Sequence, residues 1–142
     1  MPHDIKIAVS FVNKLIKDAA FSECHDMLAD AIKEYVTEDQ LREFGEYYST
    51  LPDLNYCAAL SAKQAELTVV FVPMYSSELD NQAKVWISED KVSGLEFSEL
   101  NEEAWSKEGA VEKHIIDQPK IVIKTDGKIL EICSPKEEYE AM

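Results

Sequence analysis

The sequence predicts an α+β fold, in which three N-terminal helices pack on a β-sheet. Before Pro52, apolar residues recur every three or four positions, which is the spacing of one helical face. After Pro52, apolar and polar residues alternate, as they do along half-buried strands. The run 67–75 is apolar on both of its alternating sides, so it is expected to be a central strand. One sheet face should therefore carry the helices, and the other a second layer or another subunit.

The first two helices are predicted from apolar stripes that begin at Asp4 and after Ser22, a residue type that caps helices well. The first stripe consists of Ile5, Ala8, Val9, Val12, Leu15, Ile16 and Ala19. The second consists of Cys24, Met27, Leu28, Ala31, Ile32 and Tyr35. Each stripe covers one side of a helix, so both helices are expected to lie on the sheet.

The start of the third helix has the strongest local signal. Thr37 and Gln40 have the spacing of a capping box, in which each side chain bonds to the other residue's backbone. Val36 and Leu41 stand where a hydrophobic staple would enclose that box. The third helix is therefore predicted to start after Thr37, and the helical part of the chain to span about 4–51.

The sheet is predicted over about 54–133 of a single domain of 142 residues, followed by a frayed tail at 134–142. Strands are expected at 56–63, 66–75, 82–88, 92–100 and 111–116. The third of them places Trp86 on a polar face. A hairpin at 121–133 is expected to close through a two-residue type I′ turn at Asp126-Gly127. That turn would place Ile123 opposite Leu130 and Ile121 opposite Ile132, so that one face is continuously apolar.

The charge is the most unusual global property, because 28 acidic residues face 14 basic ones, a net charge of −14. Such a field repels nucleic acid and anionic lipid and attracts a basic protein or a cation. Neither a nucleic-acid partner nor a membrane is therefore expected. Acidity that serves solubility alone remains an open alternative.

The cysteines and the N-terminus favour a cytoplasmic location. Cys24, Cys57 and Cys133 are far apart, lack zinc or redox spacings and are odd in number, which does not suit a disulfide framework. His3 and Asp4 stand where a signal peptide would have basic residues. No apolar run approaches the ~18 residues of a membrane span.

Catalytic patterns are weak, and the sequence favours a non-catalytic protein. His25, next to Asp26, points to the flank of the second apolar stripe, where it is more often structural than catalytic. No serine lies in a nucleophile turn, the glycines do not cluster as in phosphate loops, and the histidines lack metal-ligand spacing. No catalytic residue, metal or cofactor is therefore predicted. A candidate pocket would be lined by His25, Tyr48 and Tyr56.

Several stretches resemble a known superfamily. They are F-V-N-K-L-I and F-S-E-C-H-D-M-L in the first two helices, T-E-D-Q-L before the third, and T-V-V-F-V-P and K-V-W-I-S-E-D-K-V-S-G-L-E-F in the sheet. Over residues 5–97 the chain resembles small bacterial members of the nuclear transport factor two-like, or cystatin-like, superfamily. The resemblance implies a cone-like shape, in which the helices pack on the concave face of a curved, mainly antiparallel sheet, often with a pocket between them. It also implies frequent dimers through the outer sheet face. From Asn101 onward the sequence departs from the short members.

The resemblance allows several functions, since that superfamily includes Asp/His isomerases and dehydratases, small-molecule binders and bacterial immunity proteins. His25 is the only residue that approximates the enzymatic pattern. The favoured hypothesis is a non-catalytic, acidic, cytoplasmic protein that binds a basic partner such as a toxin nuclease, with a homodimer possible. Its contact residues are expected to be Trp86, Glu96, Glu99, Glu102, Glu103 and Trp105. The alternatives are a small-molecule binder or isomerase that uses His25 and the tyrosines, and an acidic secretion chaperone.

Overall fold

A computed structural model describes residues 2–107 and 112–133, and its fold is α+β, as the sequence predicts. Its helices are α1 (His3–Ile16), α2 (Phe21–Asp26), α3 (Asp30–Lys33), α4 (Glu38–Ser49) and α5 (Glu102–Lys107). The main sheet comprises β1 (Ala58–Gln64), β2 (Leu67–Tyr75), β3 (Asp80–Ser88), β4 (Lys91–Glu99) and β5 (Glu112–Ile115). A separate hairpin is formed by β6 (Lys120–Ile123) and β7 (Ile129–Ile132). The predicted tail at 134–142 and Val111, the first residue of the predicted fifth strand, lie outside the described residues.

The predicted second helix is broken into α2 and α3, which corrects the expectation of one continuous helix. At the break, Leu28 forms a parallel bridge with Val92 of β4. The Ala29 N–H donates to the Val92 carbonyl at 2.8 Å, and the Val92 N–H donates to the Met27 carbonyl at 2.9 Å. These backbone groups bond to the sheet rather than within a helix, and Leu28 is carried into the core, only 1% exposed. The apolar stripe could not reveal this break, because Leu28 is buried in either arrangement.

The third predicted helix is α4, and its capping box is confirmed. The Gln40 N–H donates to Thr37 Oγ1 at 3.1 Å, and the Thr37 N–H donates to Gln40 Oε1 at 2.9 Å. Two of the N–H groups at the helix start are thereby bonded.

Thr37→Ala removes one of these bonds, so it should lower the free energy of unfolding by about 1 kcal/mol. Urea unfolding monitored by circular dichroism measures this change, and Thr37→Ser, which keeps the hydroxyl acceptor, should retain most of the stability. Equal stability of the alanine variant and the parent would show that the cap does not stabilise α4.

The central position of β2 is confirmed, because the main sheet has the order β4-β3-β2-β1-β5 with antiparallel neighbours. Val70 and Val72 belong to the core beneath the helices, together with residues of α1 and α4. Val69 and Phe71, which alternate with them, belong to a second apolar cluster with Leu60. Both faces are covered, since β2 residues 68–74 are all buried.

The hairpin docks beside this second cluster, but its predicted register is wrong by one residue. Ile123 pairs with Ile129, where Leu130 was expected, and Lys120 pairs with Ile132. The Lys124 N–H donates to the Lys128 carbonyl at 2.8 Å, which leaves a three-residue loop. Gly127, the last residue of that loop, has a φ of 85°. This is the glycine position of a three-residue hairpin loop, which competes with the two-residue turn.

The expectation about the cysteines is wrong for two of them, because Cys57 and Cys133 form a disulfide across 76 positions, with a Cα–Cα distance of 5.9 Å. The bond joins the residue before β1 to the residue after β7, within a buried cluster that also contains Val122 and Ile132. Sequence spacing could not show this pairing, because docking of the hairpin brings the two residues together. Cys24 is free and buried.

None of the helices within 2–107 and 112–133 has both the length and the apolar character that spanning a bilayer requires.

Candidate functional site

The sheet face that points away from α1 to α4 is called the outer face here, and it carries Leu60, Val69, Phe71, Lys84 and Trp86. Strand alternation places Lys84 and Trp86 on one side of β3. Their direct partners on β2 are Phe71 and Val69. Val69 and Phe71 are fully buried, whereas Lys84 and Trp86 remain partly exposed, so these two side chains are what this part of the outer face presents to a partner.

Trp86 lies over the neighbouring strand β4. This position explains how an indole fits on the face that the sequence analysis predicted to be polar. Its cross-strand partner is Gly94 on β4. A methyl group in place of the Gly94 hydrogen would lie only 2.7 Å from Trp86 Cε3, closer than carbon atoms can approach. The missing side chain thus leaves room for the ring against β4. Because the indole remains partly exposed, it can contact a partner without rearranging.

Lys84 stands between two aromatic rings. Its Nζ lies 4.7 Å from the centre of the Trp86 ring and 5.4 Å from that of the Phe71 ring. Both distances are within the ~6 Å over which a cation is attracted to an aromatic face. Lys84 therefore stabilises the position of the Trp86 ring.

Trp105, from α5, joins the same surface. Its Nε1–H donates to Gln82 Oε1 at 2.8 Å, and its ring centre lies 6.4 Å from that of Phe71. Trp86 and Trp105 both pack against the cluster of Leu60, Val69 and Phe71. The structure thus brings the two predicted tryptophans, which are 19 positions apart in sequence, to one face.

Gln82 is a positioning residue that the sequence analysis did not select. It is 4% exposed, and its carbonyl oxygen also accepts from the Asn101 N–H at 3.4 Å, while its amide donates to Ser98 Oγ at 3.4 Å. Through these bonds Gln82 holds the start of α5 on the sheet. The sequence contained a signal for this role, because the alternation of Gln82 with Lys84 and Trp86 along β3 places all three on the same sheet face.

The predicted acidic residues lie around two cavities. Glu96 and Glu99 are exposed and line a cavity of about 600 Å³ together with Phe71 and Lys84. Glu102 lines a neighbouring cavity of about 370 Å³ between the outer face, α5 and the hairpin. Glu103 lies on α5, where its N–H donates to Asn101 Oδ1 at 3.1 Å. Carboxylates therefore lie at the edge of the aromatic surface formed by Trp86 and Trp105.

Two titratable side chains in the smaller cavity have perturbed pKa values. Burial raises the pKa of Tyr75 to about 12, and the nearby carboxylates of Glu102 and Asp80 add to that shift. Burial lowers the pKa of Lys113, while the negative charge of Glu102 acts in the opposite direction. Tyr75 is accordingly a neutral hydroxyl at neutral pH, whereas the positive charge of Lys113 is less favourable there than in water.

The three residues of the predicted pocket are each engaged in a different contact. His25 Nε2 lies 3.0 Å from the Lys33 carbonyl oxygen, and Tyr48 stacks on Phe97 with ring centres 4.7 Å apart. The Tyr56 hydroxyl donates to Asn13 Oδ1 at 2.6 Å. None of the three lines either of the two cavities described above. Burial is the main factor that raises the pKa values of both tyrosines, which is the environment of core side chains.

Within the part of the chain that the structure describes, no three side chains of His, Cys, Asp or Glu converge as a metal site requires. In comparisons with known proteins, no family model, no curated protein and no solved structure matches this chain.

Proposed function

We propose that this chain is a non-catalytic acidic protein that binds a basic protein partner through its outer face. One observation carries the proposal: the indoles of Trp86 and Trp105 pack against one buried apolar cluster of the outer face and stay partly exposed, with exposed carboxylates nearby. Aromatic anchors next to a charged rim are the usual composition of a protein-binding site.

The two kinds of residue would make different contributions. Exposed carboxylates such as Glu96 and Glu99, on a chain of charge −14, would accelerate the approach of a basic protein. The partly buried indole rings would supply most of the affinity once contact is made. Removing their apolar surface from water is favourable, and rings that are already packed lose little rotamer freedom. Lys84 keeps its positive charge, but the carboxylates of Glu96 and Glu99 line the same cavity and outnumber it.

The class of partner that fits best is a basic toxin or nuclease, for which this chain would act as an immunity-type inhibitor. A nuclease needs a cationic surface to hold phosphates, and a strongly acidic protein competes for that surface. The resemblance to the nuclear transport factor two-like superfamily, which includes immunity proteins, supports this class and is itself a prediction.

A second candidate, binding of a small polar molecule, is favoured by the cavity of about 370 Å³ with Tyr75, Lys113 and Trp105 in its lining. Its size lies within the range of about 300–1,000 Å³ that ligand sites occupy. A molecule bound there at 100 times its Kd should stabilise the protein by about 2.7 kcal/mol in thermal unfolding. A metabolite screen in which nothing raises the Tm would argue against this candidate.

The cytoplasmic location stays a prediction, and the Cys57–Cys133 bond is an argument against it, because structural disulfides persist in oxidising compartments. The redox state of Cys57 and Cys133 in the cell is measured by alkylating the free thiols of the unfolded chain at the moment of lysis. One alkylated cysteine per chain, Cys24, indicates an oxidising compartment, whereas three indicate a reducing one.

Binding to a basic partner tests the main proposal. The partner is isolated by capture on the immobilised chain, with Trp86→Ala/Trp105→Ala and Tyr35→Ala immobilised in parallel, and is then purified for kinetics. Tyr35 is 72% exposed and is not part of the outer face, so its variant controls for the loss of an exposed aromatic ring. The tryptophan variant should dissociate faster and lose roughly 2 kcal/mol of binding free energy or more.

The acidic rim is tested by replacing Glu99, Glu102 and Glu103 together by Gln. This variant should associate more slowly and show a weaker salt dependence, since exposed charges act mainly on the association rate. His25→Ala should bind normally, whereas a His25-dependent turnover of a small molecule would support the enzyme alternative. Unchanged kinetics of the Gln variant at low salt, or equal capture by all variants, would refute the proposal.

A further inference from the structure

Strand β4 forms one edge of the main sheet, because within the described residues its only strand partner is β3. The first part of β4 is covered, since the backbone of Val92 bonds to the break between α2 and α3. One extra residue, Ser93, then stands between the β4 partners of Trp86 and Ile87. The remaining part of the strand, residues 95–99, is named the open edge here.

Three residues of the open edge direct their backbone groups away from the sheet. The Leu100 N–H donates to the Asp80 carbonyl at 3.4 Å, and the bonding direction alternates from residue to residue along an antiparallel strand. Leu95, Phe97 and Glu99 therefore point their N–H and C=O groups outward. In the part of the chain that the structure describes, these groups make no hydrogen bond. Such a row of unpaired backbone groups is a template for pairing with another strand.

Aromatic rings flank the open edge on the side that carries the helices. Phe97 packs against Phe44 of α4, with ring centres 5.1 Å apart. Phe44 is 41% exposed, and Tyr47, about one turn further along α4, is 52% exposed. A side chain placed opposite Phe97 by an added strand would lie beside this ring pair and lose contact with water.

Carboxylates stand on both sides of the open edge. Strand alternation places Glu96 on the outer face, opposite Lys84 of β3, and Glu99 on the helix side, together with Phe97. Both carboxylates are exposed, and the open edge contains no basic residue. A strand with Lys or Arg opposite Glu96 and Glu99 would gain two opposite-charge pairs. A second copy of this chain fits less well, because pairing two open edges would bring four carboxylates together.

We propose that the open edge binds an extended segment of the basic partner as an added antiparallel strand. In this mode, main-chain hydrogen bonds hold the segment and its alternate side chains provide the specificity. From the residue opposite Glu99 to the one opposite Leu95, the segment would read basic, any, apolar, basic, apolar. This inference rests on the proposed function, because it names the part of the basic partner that is recognised. The open edge also adjoins the outer face through Glu96.

Amide hydrogen exchange of the ¹⁵N-labelled chain tests the open edge itself. In the chain alone at low concentration, the amides of Leu95, Phe97 and Glu99 should exchange fast, whereas those of Glu96 and Ser98, which face β3, should exchange slowly. Protection of the first three amides would contradict the proposal, because the edge would then already be covered by its own chain or by a second copy.

The probe for binding is an acetylated and amidated peptide, K-T-I-K-V, titrated to about 5 mM. Paired antiparallel, its isoleucine would lie opposite Phe97 and its two lysines opposite Glu99 and Glu96. The peptide should slow the exchange of the amides of Leu95, Phe97 and Glu99 and shift their signals. A titration that leaves these three amides unaffected would overturn the proposal.

Two methylated peptides of identical composition separate strand addition from attraction between charges. In the proposed pairing, the isoleucine nitrogen of the peptide faces β4 and the threonine nitrogen faces solvent. Methylation of the isoleucine nitrogen should raise the Kd about 10-fold or more, whereas methylation of the threonine nitrogen should change it by less than about twofold. Equal effects of the two methyl groups would show that charge alone attracts the peptide, and would refute strand addition.

Glu99→Pro and Glu99→Gln test the same pairing from the side of the protein. Both variants lose the carboxylate, but only proline also removes an outward N–H, and it leaves the bonds to β3 intact. Glu99→Pro should therefore bind the peptide about fivefold more weakly than Glu99→Gln. Circular dichroism checks that both variants are folded, and equal binding by two folded variants would contradict the proposal.

Hydrogen exchange with the isolated basic partner separates this inference from the proposed function. A partner that needs Trp86 and Trp105 but leaves the amides of the open edge unprotected would refute strand addition alone. A partner that protects those amides and binds Trp86→Ala/Trp105→Ala normally would refute the outer-face proposal alone. Protection of the amides together with weaker binding to the tryptophan variant is the result expected from both.

Discussion

Removal of the Cys57–Cys133 disulfide should lower the free energy of unfolding by about 4 kcal/mol. The bond closes a loop across 76 positions, and in the chain-entropy model the stabilisation grows with the logarithm of loop length. It also fastens a short hairpin of two four-residue strands to the main sheet. A two-stranded hairpin alone is marginal in water, so its docking should depend strongly on the bond.

This effect is measured by urea unfolding of the parent with and without reductant, and of Cys57→Ala/Cys133→Ala in both conditions. The double variant should resemble the reduced parent, apart from small packing losses, and should not respond to reductant. Cys24 should contribute little to the response, because burial raises the pKa of its thiol to about 12 and keeps it protonated. Equal stability of the oxidised and reduced parent would contradict the structural importance of the bond.

Gly45→Ala should destabilise the protein by about 2 to 3 kcal/mol, although glycine is normally unfavourable inside a helix. The substitution would gain about 1 kcal/mol of helix propensity at an exposed position. At Gly45, however, the new methyl group would overlap the carbonyl oxygen of Leu15 and lie 2.6 Å from Phe21 Cε1. Because a backbone oxygen of α1 cannot move aside as a side-chain tip can, overpacking should outweigh the propensity gain.

Thermal and urea unfolding of Gly45→Ala measure this balance, with Glu43→Ala as the matched control on the exposed side of α4. The control should stay within about 0.5 kcal/mol of the parent, as surface substitutions usually do. A Gly45→Ala variant as stable as the parent would show that α1 and α4 do not approach as closely as described.

The features that could be predicted from the sequence are those that neighbouring residues determine. The capping box at Thr37 depends on residues within one turn, and the central strand at 67–75 depends on its own two-sided apolar pattern. The break after α2 could not be predicted, because backbone bonds to Val92, far away in sequence, replace helical ones. The hairpin register failed for a different reason, since two loop lengths compete at Asp126-Gly127 and differ by one residue.

The outer face was predictable in part. Strand alternation alone places Trp86 on the side of β3 opposite the helix-facing residues, and the acidic composition pointed to Glu99, Glu102 and Glu103 as contact residues. The arrival of Trp105 on the same face depends on the contact with Gln82, which no local pattern encodes. The fit of Trp86 against Gly94 likewise depends on strand pairing. His25 and the tyrosines were grouped by residue type, whereas the structure gives each its own contact.

The central claim, that the outer face binds the partner, is tested most directly by ¹⁹F NMR of the chain labelled with 5-fluorotryptophan. Trp86 and Trp105 are its only tryptophans, and both lie on this face, so the labelled protein should give two signals that report on the proposed surface. On titration with the unlabelled basic partner, both signals should shift or broaden and then saturate at one partner per chain. A complex that forms while both signals remain unchanged would contradict the claim and place the interface elsewhere.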